Sequence, residues 1–124
     1  MIIRPASRKD CQAIYSLYQS EKWLSFTEEK VTSLFSTNLS HYLVLEEDQK
    51  ILGFACYLTD EVLTTFLAEI IIDKSHRRKG LGQQLIEEIH KKYPLTRIEL
   101  ISEADGFYRA ISFKPVGTGF RKSE

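Results

Sequence analysis

Ile70-Ile71-Ile72-Asp73-Lys74-Ser75-His76-Arg77-Arg78-Lys79-Gly80-Leu81-Gly82 decides the fold: three β-branched apolar residues, a basic turn carrying two glycines, then the start of a helix. The residues before it, Phe66-Leu67-Ala68-Glu69, extend the apolar run into a strand fit for the middle of a sheet, with both faces covered and Glu69 as its only charge. After it, Leu81, Leu85, Ile86 and Ile89 recur at helical spacing opposite Gln84, Glu87, Glu88 and Lys91, until Tyr93-Pro94 ends the helix. Arg97-Ile98-Glu99-Leu100-Ile101 reads as a further strand. Strand, helix, strand in one unit implies a right-handed crossover, so these two strands should run parallel.

The turn has the chemistry of a phosphate site. Gly80 and Gly82 let the backbone approach a ligand closely, the first helical amides lack intrahelical partners, and the helix dipole places partial positive charge there. Lys74, Arg77, Arg78 and Lys79 add full charges around the same point. A Walker loop would need Gly-x-x-x-x-Gly-Lys followed by Ser or Thr, and a dinucleotide fingerprint Gly-x-Gly-x-x-Gly after the first strand; neither occurs. A nucleic-acid patch could use Lys74 to Lys79, but nothing elsewhere extends it. The plain alternative is a solvated turn at a helix start.

Towards the N-terminus, Ile2 and Ile3 before Pro5 suggest a short strand, and Cys11, Ile14, Leu17 and Tyr18 line a helix that Ser7 or Asp10 could cap. Ser25 with Glu28 reads as a capping box for a second helix carrying Val31, Leu34 and Phe35. Tyr42 to Glu46 and Ile51 to Leu58, divided by the polar Glu47-Asp48-Gln49-Lys50, should pair as an antiparallel hairpin. Towards the C-terminus, Ala104 to Ile111 reads as a short helix and Phe113 to Phe120, broken by Pro115, Gly117 and Gly119, as a ragged final hairpin.

With 124 residues, 43% of them hydrophobic, the chain suits one compact domain over 1–124. Its 17 basic residues balance 17 acidic ones, so no global field draws it to nucleic acid or to an anionic membrane. Cys11 and Cys56 sit far apart among apolar neighbours, without metal spacing, as buried thiols do in a reducing compartment. The first residues lack the apolar core of a signal peptide, and no stretch approaches the about 18 apolar residues of a membrane span. The expectation is a cytoplasmic protein.

Arg77-x-x-Gly80-x-Gly82, between an apolar strand and an amphipathic helix, resembles the acetyl-coenzyme A signature of the GCN5-related N-acetyltransferases, the GNAT family. Gly106-Phe107-Tyr108-Arg109-Ala110-Ile111-Ser112-Phe113 is similar to that family's second signature, and the order of elements matches from Met1 to about Phe113. Ser112 stands where the second signature usually has Gly, and Lys74 where Pro is frequent. The resemblance implies an α/β (α+β) fold: a mixed, mostly antiparallel sheet with a splayed parallel pair of strands, flanked by about four helices.

It also implies an N-acetyltransferase moving acetyl from acetyl-CoA to a primary amine of a small molecule or peptide, by direct attack in a ternary complex without metal. By the same resemblance, backbone amides from Arg78 through Lys79, Gly80, Leu81 and Gly82 would hold the pyrophosphate. Ile70 and Ile72 would offer main-chain hydrogen bonds to the pantetheine arm, and an amide near Ile70 or Ile71 would face the oxyanion. Tyr108 would protonate the leaving thiolate, its alternative being a core aromatic beside Phe107. Glu69 is the candidate base for the amine, its alternative a strand glutamate paired with a neighbouring base or pointing to the sheet end. Trp23 and Phe26 either wall the acceptor pocket or cover the sheet. The other functional class is a catalytically inactive CoA-binding sensor or interaction module, and the short C-terminal segment leaves room for either a monomer or a homodimer.

Overall fold

The computed structural model describes residues 1–37 and 40–123. In chain order the elements are β1 (Ile2–Pro5), α1 (Cys11–Ser20), α2 (Glu28–Leu34), β2 (Ser40–Glu47), β3 (Lys50–Thr59), β4 (Thr64–Ile72), α3 (Leu81–Lys92), β5 (Arg97–Leu100) and α4 (Asp105–Ala110). Short 3-10 turns over Arg8–Asp10 and Lys74–His76 lead towards α1 and α3. Among the described residues the strands form one sheet in the order β1-β2-β3-β4-β5. Neighbours pair antiparallel except β4 and β5, which are parallel across the α3 crossover. This is the mixed sheet with one parallel pair that the strand-helix-strand reading requires.

Local chemistry explains the punctuation. Asp48 and Gln49, at φ 51° and 64°, form the tight β2–β3 turn whose left-handed residues match strand twist. Ser7 and Asp10 make a reciprocal capping box at the first 3-10 turn, and Asp10 is also the N-cap residue of α1. The cap of α2 differs from the Ser25–Glu28 expectation: the Thr27 side chain accepts from the Lys30 amide at 3.3 Å, and Glu28 becomes the first helical residue. Phe26 lies stacked on Tyr18, ring centroids 4.2 Å apart, which fixes where the chain can turn into α2.

Alternation along the strands builds two cores. Tyr42, Val44, Phe54, Cys56 and Ile71 pack with Ile14, Leu17 and Tyr18 of α1 and Val31 of α2. Leu43, Leu45, Ala55, Tyr57 and Leu67 face the other way, against Leu81, Leu85, Ile86 and Ile89 of α3. Fully burying a Leu or Ile side chain such as these contributes about 1.5–3 kcal/mol, so α3 is held chiefly by this stripe. The expected final hairpin is not formed: residues 114–123 are exposed and carry no strand, and Glu124 lies outside the described residues. Pro115 has no amide for a ladder, and the glycines beyond it bury nothing that would hold a strand.

Candidate active site

The sheet opens beside α3. The β4–β5 ladder runs from Thr64↔Arg97 to Leu67↔Leu100 and stops, while β4 continues to Ile72. Its register with β3 slips between Cys56 and Tyr57, where Glu69 opposes Cys56 and Leu67 opposes Tyr57, so Ala68 is an extra residue. A bulge of this kind bends the strand and re-aims the side chains beyond it. Leu67 accordingly points into the α3 core, whereas Glu69, two residues on, meets Tyr18 of α1 on the opposite face.

Beyond the bulge β4 offers a bare edge. The Asp73 amide donates to the Leu52 carbonyl at 2.7 Å, and strand alternation then turns the main-chain groups of Ile71 towards β3 and those of Ile70 and Ile72 outward. The outward Ile72 carbonyl accepts from Arg77 Nε at 3.0 Å, and the Arg77 guanidinium also pairs with Glu21 at the end of α1. The side chain of Arg77 thus pins the turn to α1 instead of joining Lys74, Arg78 and Lys79, which are exposed.

The turn itself is shaped by backbone conformation. Arg78 and Gly80 both adopt left-handed φ, 65° and 75°. For a non-glycine residue that costs on the order of 1–3 kcal/mol, a strain that concentrates at functional loops. Gly80 is the N-cap residue of α3, no side chain caps the helix, and no acidic residue occupies its first turn. The leading amides therefore remain available to an external anion. Leu81 turns its side chain into the core. Gly82 is buried, and a Cβ there would lie 3.1 Å from Phe107 Cζ and 3.7 Å from Ile70 Cδ1, so its missing side chain makes room for α4. Nearby, His76 Nδ1 and Asp73 Oδ2 lie 2.9 Å apart, and that contact holds the Asp73 carboxyl below its usual value.

Tyr108 lies on the α3 side, half-buried, edge-on to Phe107 and Phe113 at 5.0 and 5.5 Å between centroids. Burial pushes its phenol above the ordinary value, keeping it protonated at neutral pH. It lines a cavity of about 1020 Å³ bounded by Phe66 of β4, Leu100 of β5, Ile86 of α3 and the C-terminal segment. Glu69 lies across the sheet from it. The Tyr18 hydroxyl donates to Glu69 Oε1 at 2.7 Å and lies 2.9 Å from the Tyr42 hydroxyl. Burial raises the Glu69 carboxyl, partly offset by hydrogen bonds from Tyr18 and Cys56. Trp23 and Phe26 are half-buried against Tyr18, so both rings help to cover the sheet on the Glu69 side. Neither cysteine is in a disulfide, and Cys56 is buried.

Sequence reasoning placed Glu69 and the basic turn but not the partners Tyr18, Tyr42 and Cys56. Cross-strand register brings these together, and periodicity alone does not supply register. The period-2 pattern of β2 and β3 was the available signal, since Tyr42 and Cys56 occupy the same face.

A family model described as "Acetyltransferase (GNAT) domain" matches residues 38–115. Solved structures share the fold over the whole length. A ribosomal-protein-alanine N-acetyltransferase from Brucella melitensis biovar Abortus 2308 superposes with a TM-score of 0.82 at 14% identity, covering 100% of both chains. A tetramutant of a Bacillus halodurans protein does so at 0.80 and 18%, again covering 100% of both. An aminoglycoside N-acetyltransferase solved in complex with CoA reaches 0.80 at 14%, covering 99% of this chain and 93% of that one. No curated protein matches the sequence. The chain belongs to the GNAT acetyltransferase family. Its five-stranded sheet, opening between β4 and β5 with helices on both faces, is that family's fold.

Proposed function

We propose that this protein transfers acetyl from acetyl-CoA to a primary amine of a small molecule or peptide by direct attack in a ternary complex. The observation that carries this reading is the uncapped N-terminus of α3, set directly after the strand whose ladder to β5 has ended. Backbone amides from Arg78 to Gly82 suit a pyrophosphate, with Lys74, Arg78 and Lys79 around them. The outward groups of Ile70 and Ile72 suit the amides of a pantetheine arm lying along β4 as an added strand would. Of the two amides considered for the oxyanion, Ile70 is favoured, because Ile71 faces β3.

The two faces of the sheet divide the work. The thioester approaches from the α3 and α4 side, where Tyr108 is placed to give its proton to the departing sulfur. The amine approaches from the α1 side. An alkylammonium, with a reference pKa of about 10.4, has no lone pair for attack, so a proton must first leave it. Glu69, directly or through water, accepts that proton; its raised pKa makes it a stronger base than an exposed carboxylate. The nitrogen then forms the amide bond as the carbon–sulfur bond breaks, and no covalent enzyme intermediate is needed, which leaves Cys11 and Cys56 to packing.

Thiol release from acetyl-CoA, followed across a polyamine, an aminoglycoside, an amino acid and a short peptide, tests the proposal. Turnover with at least one amine, lowered in Glu69→Gln without loss of CoA affinity, is the expected outcome. Tight CoA binding with no turnover on any amine would point instead to a CoA-binding sensor.

A further inference from the structure

Tyr42, Cys56 and Glu69 are successive cross-strand partners on β2, β3 and β4, so they form one row on the face that α1 covers. Tyr18 closes over the row from α1 and is fully buried, at 0% exposure. Its hydroxyl has one proton, and that proton goes to Glu69 Oε1. The Tyr42 hydroxyl, 2.9 Å away, is then left to donate to the Tyr18 oxygen. The Cys56 thiol hydrogen-bonds the same Glu69 carboxylate from the neighbouring strand. An ionised carboxylate can only accept, so each of these protons points towards Glu69. No cation lies within ion-pair distance of it among the described residues.

We propose that Tyr18, backed by Tyr42 and joined by Cys56, is a positioning residue that orients the Glu69 carboxylate at the opening of the sheet and sets its basicity. The idea rests on Glu69 being the base for the acceptor amine. Burial of the carboxylate favours its neutral form, and two donors from fixed elements restore part of the anion's stability while leaving the other lone pairs for a proton. The bulge at Ala68 gives the row its end at the gap, since without it Glu69 would face α3. The titratable groups facing Glu69 are Tyr18 from α1 and Cys56 from β3, with Tyr42 of β2 one step behind.

The test measures the Glu69 carboxyl pKa by carbon-13 NMR of glutamate-labelled protein, beside the pH dependence of kcat/KM for acetyl-CoA with the panel amine turned over fastest. Losing a charge-assisted hydrogen bond in Tyr18→Phe should raise the carboxyl pKa by about one pH unit or more, and the acid limb of the rate profile should move with it. Cys56→Ala should shift both in the same direction by less, because a thiol is the weaker donor, and Cys56→Ser should restore them. A carboxyl pKa unchanged in both Tyr18→Phe and Cys56→Ala overturns the row as the device that sets Glu69. A carboxyl pKa that rises while the rate profile stays in place instead overturns Glu69 as the base, and the positioning role with it.

Discussion

Two side chains on opposite faces of one sheet carry the proposed chemistry, and each has a shifted pKa that matches its task. Burial raises Tyr108, so the phenol stays protonated well past neutral pH and remains a donor. Tyr108→Phe should lower kcat by at least about tenfold with CoA affinity retained, as loss of a general acid does; equal loss of binding, measured by calorimetry, would mark the ring as structural. Glu69 is also raised by burial, so kcat/KM should climb with pH through an apparent pKa above the ordinary carboxylate value of about 4.3. The same shift has a stability cost. A carboxyl whose folded pKa is raised contributes stability that is full below the unfolded value and lost as pH rises through the folded one. Urea midpoints should therefore show Glu69→Gln gaining stability over wild type at pH 7 relative to pH 4. Both residues were legible in the sequence, Glu69 as the lone charge of an apolar strand and Tyr108 through the second signature. Arg77 shows where reading stops: its charge suggested phosphate, but its partners Glu21 and the Ile72 carbonyl come from chain packing.

Element order was legible because each period is a local property: the helical spacing of Leu81 to Ile89 and the continuous apolar run of β4 do not depend on what they pack against. Boundaries set by tertiary contacts were less so, as with Thr27 capping α2 in place of Ser25. The junction of α3 with α4 yields a coupled prediction. A Cβ at Gly82 meets Phe107, which is half out of the core and able to give by a few tenths of an ångström. Gly to Ala within a helix otherwise gains roughly 0.5–1 kcal/mol. Gly82→Ala should thus be near neutral in wild type but stabilising in a Phe107→Ala background, with a double-mutant cycle reporting the coupling. Additive effects would deny the contact. In the helix interior, Leu85→Ala should cost about 2–5 kcal/mol by urea unfolding, since Leu85 is fully buried and its neighbours are fixed by β3 and β4.

Across the whole molecule, the free end of the sheet is tied down far from the gap. Arg4 of β1 bonds both oxygens of Asp10, at 2.8 and 3.0 Å, and reaches Glu46 of β2 at 2.6 Å. The Arg4 guanidinium holds the Asp10 carboxyl below its usual value, the opposite sign to Glu69. That stability is present above the unfolded value of about 3.9 and lost as pH falls through the folded one. Arg4→Ala should cost about 1–3 kcal/mol at pH 7 by leaving Asp10 without its main partner, and the difference from wild type should shrink in acid. The central claim, however, concerns the other end, where bare amides at the start of α3 and along the outer edge of β4 receive the donor. An amide NMR titration with coenzyme A reads those groups directly. The largest shifts should fall on Arg78 through Gly82 and on Ile70 and Ile72; saturable binding that leaves these amides unmoved, or no binding at all, would contradict it.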